Sequence, residues 1–385
     1  MKVLFFVPSR IDAVDINHEF TTRLAHCLSG SVEVRVATSS EKNISEELTD
    51  YDILHVFGCW SNSGCLLAEK AYRKRIPYVI TPLGLLQPWE MERHSKSLLF
   101  PRQHHITVKA SAVNVCGKLE EKTFSKLAWN KRVTLIKNPV LTSQTTFDAV
   151  SEQFMALYRK VLDSNARVVL SKEACKVVGK LLQLGLDEQG FAYDNSTEDL
   201  KAQLDALSAD DWRYIFIYSS DEEIEEPIKK ALDFLQYDYP KTDVSVLDRY
   251  DADIVYKDEP LKEDVLLSRN ILLRNKVKET FANRGMTEQQ VCLGILNLHY
   301  ELNHHIAPLR HLGNLYCDMR FKDMDEDMLR DMAKELDITD FAEVLVSVLS
   351  DFLGLTEGFM PFAPKDGRKS RTLLNALTKF GKYKT

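Results

Sequence analysis

The first 140 residues alternate short, predominantly apolar runs with segments of helical periodicity, and this alternation constrains the fold more than any other feature. The apolar runs are brief, rich in β-branched residues and bordered by turn residues, which is typical of strands buried on both faces. Four such runs are Lys2–Val7, Val32–Thr38, Ile53–Phe57 and Tyr78–Thr81, with helical segments at Phe20–Leu28 and Cys65–Arg75 between them. Further elements of the same alternation follow at Val113–Cys116, Leu119–Leu127 and Val133–Ile136. The pattern predicts a parallel, doubly wound, Rossmann-like sheet with right-handed crossovers.

In a sheet of this kind, ligands bind beyond the carboxyl ends of the strands. The segments that follow three of the predicted strands are therefore expected to form the functional edge of this region. They are Pro8–His18, Gly58–Gly64 and Pro82–Glu92.

The second half of the chain has a different pattern. A polar stretch at Leu141–Thr146 indicates a boundary, and helical periodicity then predominates, above all from Val265 to Phe352. The predicted elements between these points are helices at Glu152–Asp163, Lys172–Leu184, Ser196–Leu207 and Asp221–Leu235, and one strand at Trp212–Tyr218. We therefore expect a Rossmann-like domain at 1–140, a mixed α/β connector or accessory segment at 141–264, a helical domain at 265–364 and a basic tail at 365–385.

Composition excludes several classes of protein. The 385 residues carry a formal net charge of −7, whereas proteins that bind nucleic acid usually present a basic domain, so we expect no nucleic-acid partner. The seven cysteines are scattered without a C-x-x-C pair, which predicts neither a disulfide framework nor a zinc site. The chain has no signal-peptide core and no apolar stretch near the roughly 20 residues that cross a bilayer. We expect a cytoplasmic protein without a bound metal.

Four segments of the first half resemble known motifs in their order and spacing. They are DYDILHVFGCW at Asp50–Trp60, RKRIPYVITPLGLLQPW at Arg73–Trp89, KASAVNVCGKLEEKTF at Lys109–Phe124 and VTLIKNPV at Val133–Val140. Together they resemble the N-terminal, acceptor-side domain of family-four-type GT-B glycosyltransferases. The resemblance covers only the first 140 residues or so, and the C-terminal half diverges from that family.

The resemblance implies transfer of a sugar from a nucleotide-sugar donor to a hydroxyl acceptor, in the assembly of a surface polysaccharide. It implies no cofactor and no obligatory metal, with a nucleotide sugar and a glycan or lipid-linked acceptor as partners. Stabilising the departing phosphate needs cations or backbone N–H groups, for which Arg10, Arg93 and Lys96 are the candidates.

Two loops carry the candidate binding residues. Gly58 and Gly84 follow buried strands, where a residue without Cβ lets a ligand approach the backbone. Trp60 and Trp89 lie in the same loops, where an indole can stack on a sugar ring or, equally, cap the sheet. Gln87 could contact a hydroxyl, whereas His55, on an apolar strand, is expected to be a hydrogen-bonded core residue.

Three departures from the family favour a different function. The first loop contains no glycine, and Phe57 and Leu83 stand where the family has histidines before its glycines. The acidic pair of the donor side is not convincingly present, because the LDITD break between Glu335 and Glu343 prevents one continuous helix. The alternative is a non-catalytic, glycosyltransferase-like binding or scaffolding protein that has lost its donor site.

Two further clusters have a functional and an ordinary interpretation. Four histidines around Glu301 suggest a metal, but they lack metal-ligand spacing, so a partly buried polar helix face is expected; they are His299, His304, His305 and His311. The tail after Pro364 has seven basic residues against one aspartate and forms a short amphipathic pattern. That tail would suit a peripheral contact with the inner face of the membrane, or it is simply a solvated terminus.

Overall fold

The computed structural model describes residues 1–8, 15–41, 43–187, 196–250, 271–304 and 307–379. The chain divides into two compact units. The first contains Met1–Val169 together with Leu247–Asp251, and the second contains Leu170–Val246 together with Ala252–Thr385.

A six-stranded parallel sheet forms the centre of the first unit, in the order β2-β1-β3-β4-β5-β6. Its strands are β1 (Lys2–Val7), β2 (Glu33–Thr38), β3 (Ile53–Phe57), β4 (Tyr78–Thr81), β5 (Ala112–Val115) and β6 (Val133–Leu135). The four predicted strands are confirmed, and the further elements at Val113–Cys116 and Val133–Ile136 are strands as well, with ends that shift by no more than one residue. The α/β, Rossmann-like prediction for this region is confirmed as well.

Helices surround this sheet and bury both of its faces. They are α1 (Ile16–Leu28), α2 (Asn62–Lys74), α3 (Pro88–His94), α4 (Leu99–Lys109), α5 (Lys118–Leu127), α6 (Phe147–Asp163) and α7 (Ala166–Val169). Successive side chains of a strand point to opposite faces. On β1, Phe5 faces the aromatic rings beneath α1 and α6, whereas Leu4 and Phe6 belong to the core that α2 covers.

The described part of the second unit consists of helices, which confirms the prediction of a mainly helical C-terminal region. They are α8 (Lys172–Leu186), α9 (Ser196–Asp205), α10 (Ala209–Asp221), α11 (Glu225–Phe234), α12 (Ile271–Phe281), α13 (Met286–His304), α14 (Leu309–Phe321), α15 (Glu326–Glu335), α16 (Thr339–Leu353) and α17 (Arg368–Thr378). Helix α8 packs against α9, α10, α11, α14 and α16, so it is the central helix of this unit.

The predicted strand at Trp212–Tyr218 is wrong, because these residues lie inside α10. A capping box between Ser208 and Asp211 starts this helix. Six of the seven residues of this apolar run are buried. The run therefore lacks the regularly spaced polar positions by which an amphipathic helix is recognised in a sequence. A short run that is apolar on all sides cannot be assigned to a helix or a strand from periodicity alone.

The basic tail forms α17 up to Thr378, and residues 380–385 lie outside the described part of the chain. The apolar face of α17 packs against α16 within the second unit, with Leu373 and Leu377 fully buried. Two cations of the tail, Lys365 just before α17 and Lys369 within it, form ion pairs with Asp340. In this arrangement the apolar face of α17 is buried within the second unit.

Candidate functional site

The strand order places a topological switch point between β1 and β3, because the chain continues from β1 to β2 on one side and adds β3 on the other. Parallel sheets with this connectivity bind ligands in the crevice at the switch point, at the carboxyl ends of the strands. We call the described loops 58–61, 82–87 and 116–117, which follow β3, β4 and β5, the carboxyl edge. Arg10, a predicted phosphate contact in the loop after β1, lies outside the described residues.

The loop after β3 turns sharply through two left-handed residues, Gly58 with φ of 77° and Trp60 with φ of 60°. The Gly58 amide donates a hydrogen bond to the Thr81 carbonyl oxygen at 2.8 Å, and the Trp60 amide donates to Gln103 Oε1 at 2.9 Å. A left-handed conformation is costly for a residue with a Cβ. These bonds hold the loop in that conformation and leave neither amide for a ligand.

The side chain of Trp60 is buried rather than presented to solvent. It is 3% exposed, its Nε1–H donates to the Leu85 carbonyl oxygen at 2.6 Å, and its ring stacks on His94 at a centroid distance of 4.7 Å. The predicted stacking of Trp60 on a sugar does not fit this geometry, because the ring and its N–H are already occupied. Instead, Trp60 joins the loop after β3 to the loop after β4.

The loop after β4 contains a second left-handed pair, Leu83 with φ of 55° and Gly84 with φ of 81°. A Cβ placed on Gly84 would meet no other atom within 4 Å, so this position faces open space. A ligand therefore has room to approach the Cα of Gly84, which is the approach that the sequence predicted. Its amide, by contrast, is taken, since it donates to Glu120 Oε1 at 2.6 Å.

Glu120, on the first turn of α5, contacts two loops of the carboxyl edge and was not among the predicted site residues. Its other oxygen, Oε2, accepts a hydrogen bond from the Cys116 amide at 2.7 Å, so one carboxylate links the turn after β4 to the end of β5. Burial raises the pKa of this carboxyl, and the two backbone hydrogen bonds oppose that shift. The available signal was its place in the third resembling segment, Lys109–Phe124, at the start of the predicted helix that follows the strand.

The remaining predicted contacts lie beside these turns, on and just before α3. Trp89 is 61% exposed and can meet a ligand without rearrangement. Gln87 is buried and accepts a hydrogen bond from the Thr123 hydroxyl at 3.1 Å. Arg93 is exposed and forms an ion pair with Glu90 at 3.1 Å. Of this group, Trp89 and Arg93 are the side chains that solvent reaches.

A buried polar network lies beneath the carboxyl edge, and it confirms the prediction that His55 is a satisfied core residue. The His55 ring shares hydrogen bonds with the Tyr158 hydroxyl at 2.6 Å and the Thr81 hydroxyl at 2.7 Å. Asn114 Nδ2 donates to the same Thr81 oxygen at 3.3 Å. Complete burial lowers the pKa of His55 to about 3, so the ring is neutral at physiological pH.

The carboxyl edge thus concentrates four left-handed residues in two adjacent strand-end loops. Elsewhere in the described part of the first unit, residues with positive φ occur at helix C-caps, namely Arg75 and Ala128. Left-handed conformations at helix ends are common, whereas strained residues that cluster at strand ends are typical of functional sites. This cluster makes the carboxyl edge the best-supported candidate site.

We expect Gly84→Ala to destabilise the protein by about 1–2 kcal/mol, because alanine is strained in the left-handed region. Steric overlap contributes nothing, since the added Cβ has free space. The matched control is Gly30→Ala, in the same unit and equally open but not at positive φ, where we expect a change within about 0.5 kcal/mol. Urea unfolding measures both variants, and equal effects would contradict the conformational explanation.

Two histidines of the second unit, His299 and His311, contact other side chains of the protein. Within the described part of the chain, no group of three or more His, Cys, Asp or Glu side chains is close enough to hold a metal ion. His311 Nδ1 pairs with Glu301 Oε2 at 2.7 Å, and the His299 ring packs against Phe341. His305 lies outside the described residues. Glu335 and Glu343 fall on separate helices, α15 and α16, as the LDITD break predicted.

Comparison of the chain with models of protein families, with curated proteins and with solved structures finds no match. Among the described helices, none is both long and apolar enough to cross a membrane.

Proposed function

We propose that this protein is a divergent glycosyltransferase of the GT-B type, which binds a sugar substrate at the carboxyl edge of its six-stranded sheet. The observation that carries the proposal is the cluster of left-handed residues at 58–60 and 83–84, immediately beside the topological switch point. These are the same loops in which the sequence resembles the acceptor-side domain of that family. The exposed Trp89 supplies an apolar surface next to the second loop.

The hydrogen bonds of the carboxyl edge favour an uncharged sugar ring over a phosphate at this position. The amides of Gly58, Trp60 and Gly84 all donate within the protein. A phosphate cradle requires free backbone N–H groups, which these three residues do not offer. A sugar ring over the Cα of Gly84 needs only space and an apolar neighbour, so we assign this part of the edge to the neutral part of the substrate.

A second candidate function is non-catalytic binding or scaffolding. The helical character of the second unit favours it, because donor binding in GT-B enzymes rests on a second Rossmann-like domain. The buried Phe57 and the apolar Leu83, at positions where the family has histidines, point in the same direction. In this alternative the protein binds a glycan at the carboxyl edge and transfers nothing.

The test is thermal unfolding of the full chain with a panel of nucleotide sugars, including UDP-glucose and GDP-mannose. A ligand at about 100 times its Kd stabilises the native state by about 2.7 kcal/mol, so binding raises the midpoint by several degrees. We expect Trp89→Ala to reduce this shift. The matched control is Leu98→Ala, which removes another exposed apolar side chain and should leave the shift unchanged.

Release of the free nucleotide then separates the two candidates. A transferase releases UDP or GDP in the presence of its acceptor, whereas a binding protein shows a thermal shift with saccharides and no release. Failure of every nucleotide sugar and saccharide to shift the midpoint at millimolar concentration would contradict both functions.

A further inference from the structure

We propose that Glu120 is a positioning residue for the carboxyl edge, in that its carboxylate fixes the Leu83–Gly84 turn in the geometry that receives the ligand. This inference rests on the proposed binding function at the edge. It concerns a buried acidic group that contacts two loops of the site and lies too deep to reach a substrate itself, since Glu120 is 6% exposed.

The geometry of the carboxylate is that of a two-sided clamp. Oε1 receives the Gly84 amide at 2.6 Å and Oε2 receives the Cys116 amide at 2.7 Å, so both oxygens are used on different segments. Distances this short are typical of hydrogen bonds to a charged acceptor. The clamp therefore holds the turn after β4 against the end of β5, 32 residues later in the chain.

The turn needs this support because its backbone is strained. Leu83 and Gly84 both have positive φ, and a leucine in this region costs roughly 1–2 kcal/mol on its own. Within the turn, the Leu85 amide donates to the Pro82 carbonyl oxygen. Two side chains outside the turn also bind it. The Trp60 indole N–H donates to the Leu85 carbonyl oxygen, and the Glu120 carboxylate accepts from the Gly84 amide.

The buried position of Glu120 favours an acidic side chain, because each of its two oxygens accepts a hydrogen bond from a backbone amide. A carboxylate withdrawn from water is costly unless hydrogen bonds compensate it, and these two amides are its hydrogen-bond donors. Its place on the first turn of α5 adds a favourable interaction with the helix dipole. Because each amide donates to a different oxygen, a carboxamide would turn its NH2 group towards one of the two N–H donors and leave that donor without an acceptor.

The first experiment measures hydrogen exchange at the Gly84 and Cys116 amides of the full chain by NMR. In Glu120→Gln we expect at least one of the two amides to exchange about tenfold faster or more, because it loses a hydrogen bond to a charged acceptor. In Glu120→Ala both should do so. Glu121→Gln removes the same charge from the adjacent position of α5 and should leave both amides as in the wild type. Unchanged protection in Glu120→Gln would overturn the proposal.

The second experiment measures affinity for the nucleotide sugar or saccharide that gives the largest thermal shift. We expect Glu120→Gln to weaken binding about tenfold and Glu121→Gln to leave it unchanged, because only the former releases the turn. Faster exchange with unchanged affinity would also overturn a positioning role. If no probe binds the wild-type protein, the proposed function fails, and the exchange measurement still decides whether Glu120 fixes the turn.

Discussion

Lowering the pH from 6.5 to 4.5 is expected to destabilise the first unit by about 2 kcal/mol through His55 alone. The pKa of this ring is lowered by burial to about 3, whereas an unfolded histidine titrates near 6.5. Between these two pKa values the His55 ring binds a proton in the unfolded chain but not in the folded protein. Stability from the neutral ring is therefore complete above pH 6.5 and is lost as the pH falls towards 3, at about 1.4 kcal/mol per pH unit.

The measurement is urea unfolding of the full chain at several pH values, with hydrogen exchange at the amides of β3 and β4 to report on the first unit. His55→Gln provides the comparison, because it removes the titrating ring while the carboxylates stay as they are. We expect the variant to be less stable at pH 7, since two buried hydroxyls lose a partner, and to lose less stability on acidification. If the free energy of unfolding falls equally with pH in the wild-type protein and in His55→Gln, His55 is not the group that causes the loss of stability.

Gly185→Ala is expected to destabilise the second unit by about 3 kcal/mol, the upper end of the usual cost of overpacking. Helices α8 and α11 pack together, and a Cβ on Gly185 would overlap the Pro227 carbonyl oxygen. Backbone atoms cannot rotate away as a flexible side chain can, so the two helices would have to separate. In an exposed helix, replacing glycine by alanine stabilises the protein by about 1 kcal/mol. A loss of stability in Gly185→Ala would therefore identify the close contact between the two helices.

Urea unfolding followed by hydrogen exchange in α8 and α11 measures this effect. The control is Gly358→Ala in the same unit, where a Cβ meets no atom within 4 Å and the expected change is within about 0.5 kcal/mol. A Gly185→Ala protein as stable as the wild type would show that the two helices are not in backbone contact.

Much of the first unit could be predicted from the sequence, because its strands are local features. A run such as Ile53–Phe57 is buried on both faces, so its composition alone identifies it. The glycines at 58 and 84 mark the turns that follow, and both have the positive φ that explains their use. Helix α3 was missed because the segment Pro82–Glu92 was expected to be a loop, although Pro88 stands at a first helical position that suits proline.

The parallel sheet and the helical second half follow from the sequence alone, since hydrophobic periodicity and turn residues act over a few neighbouring positions. The role of each side chain follows only from long-range packing. Trp60 is buried by Leu85 and His94, His55 is satisfied by Tyr158, 103 residues away, and the Gly84 amide is taken by Glu120. Such partners are set by packing between distant segments, which no local pattern encodes.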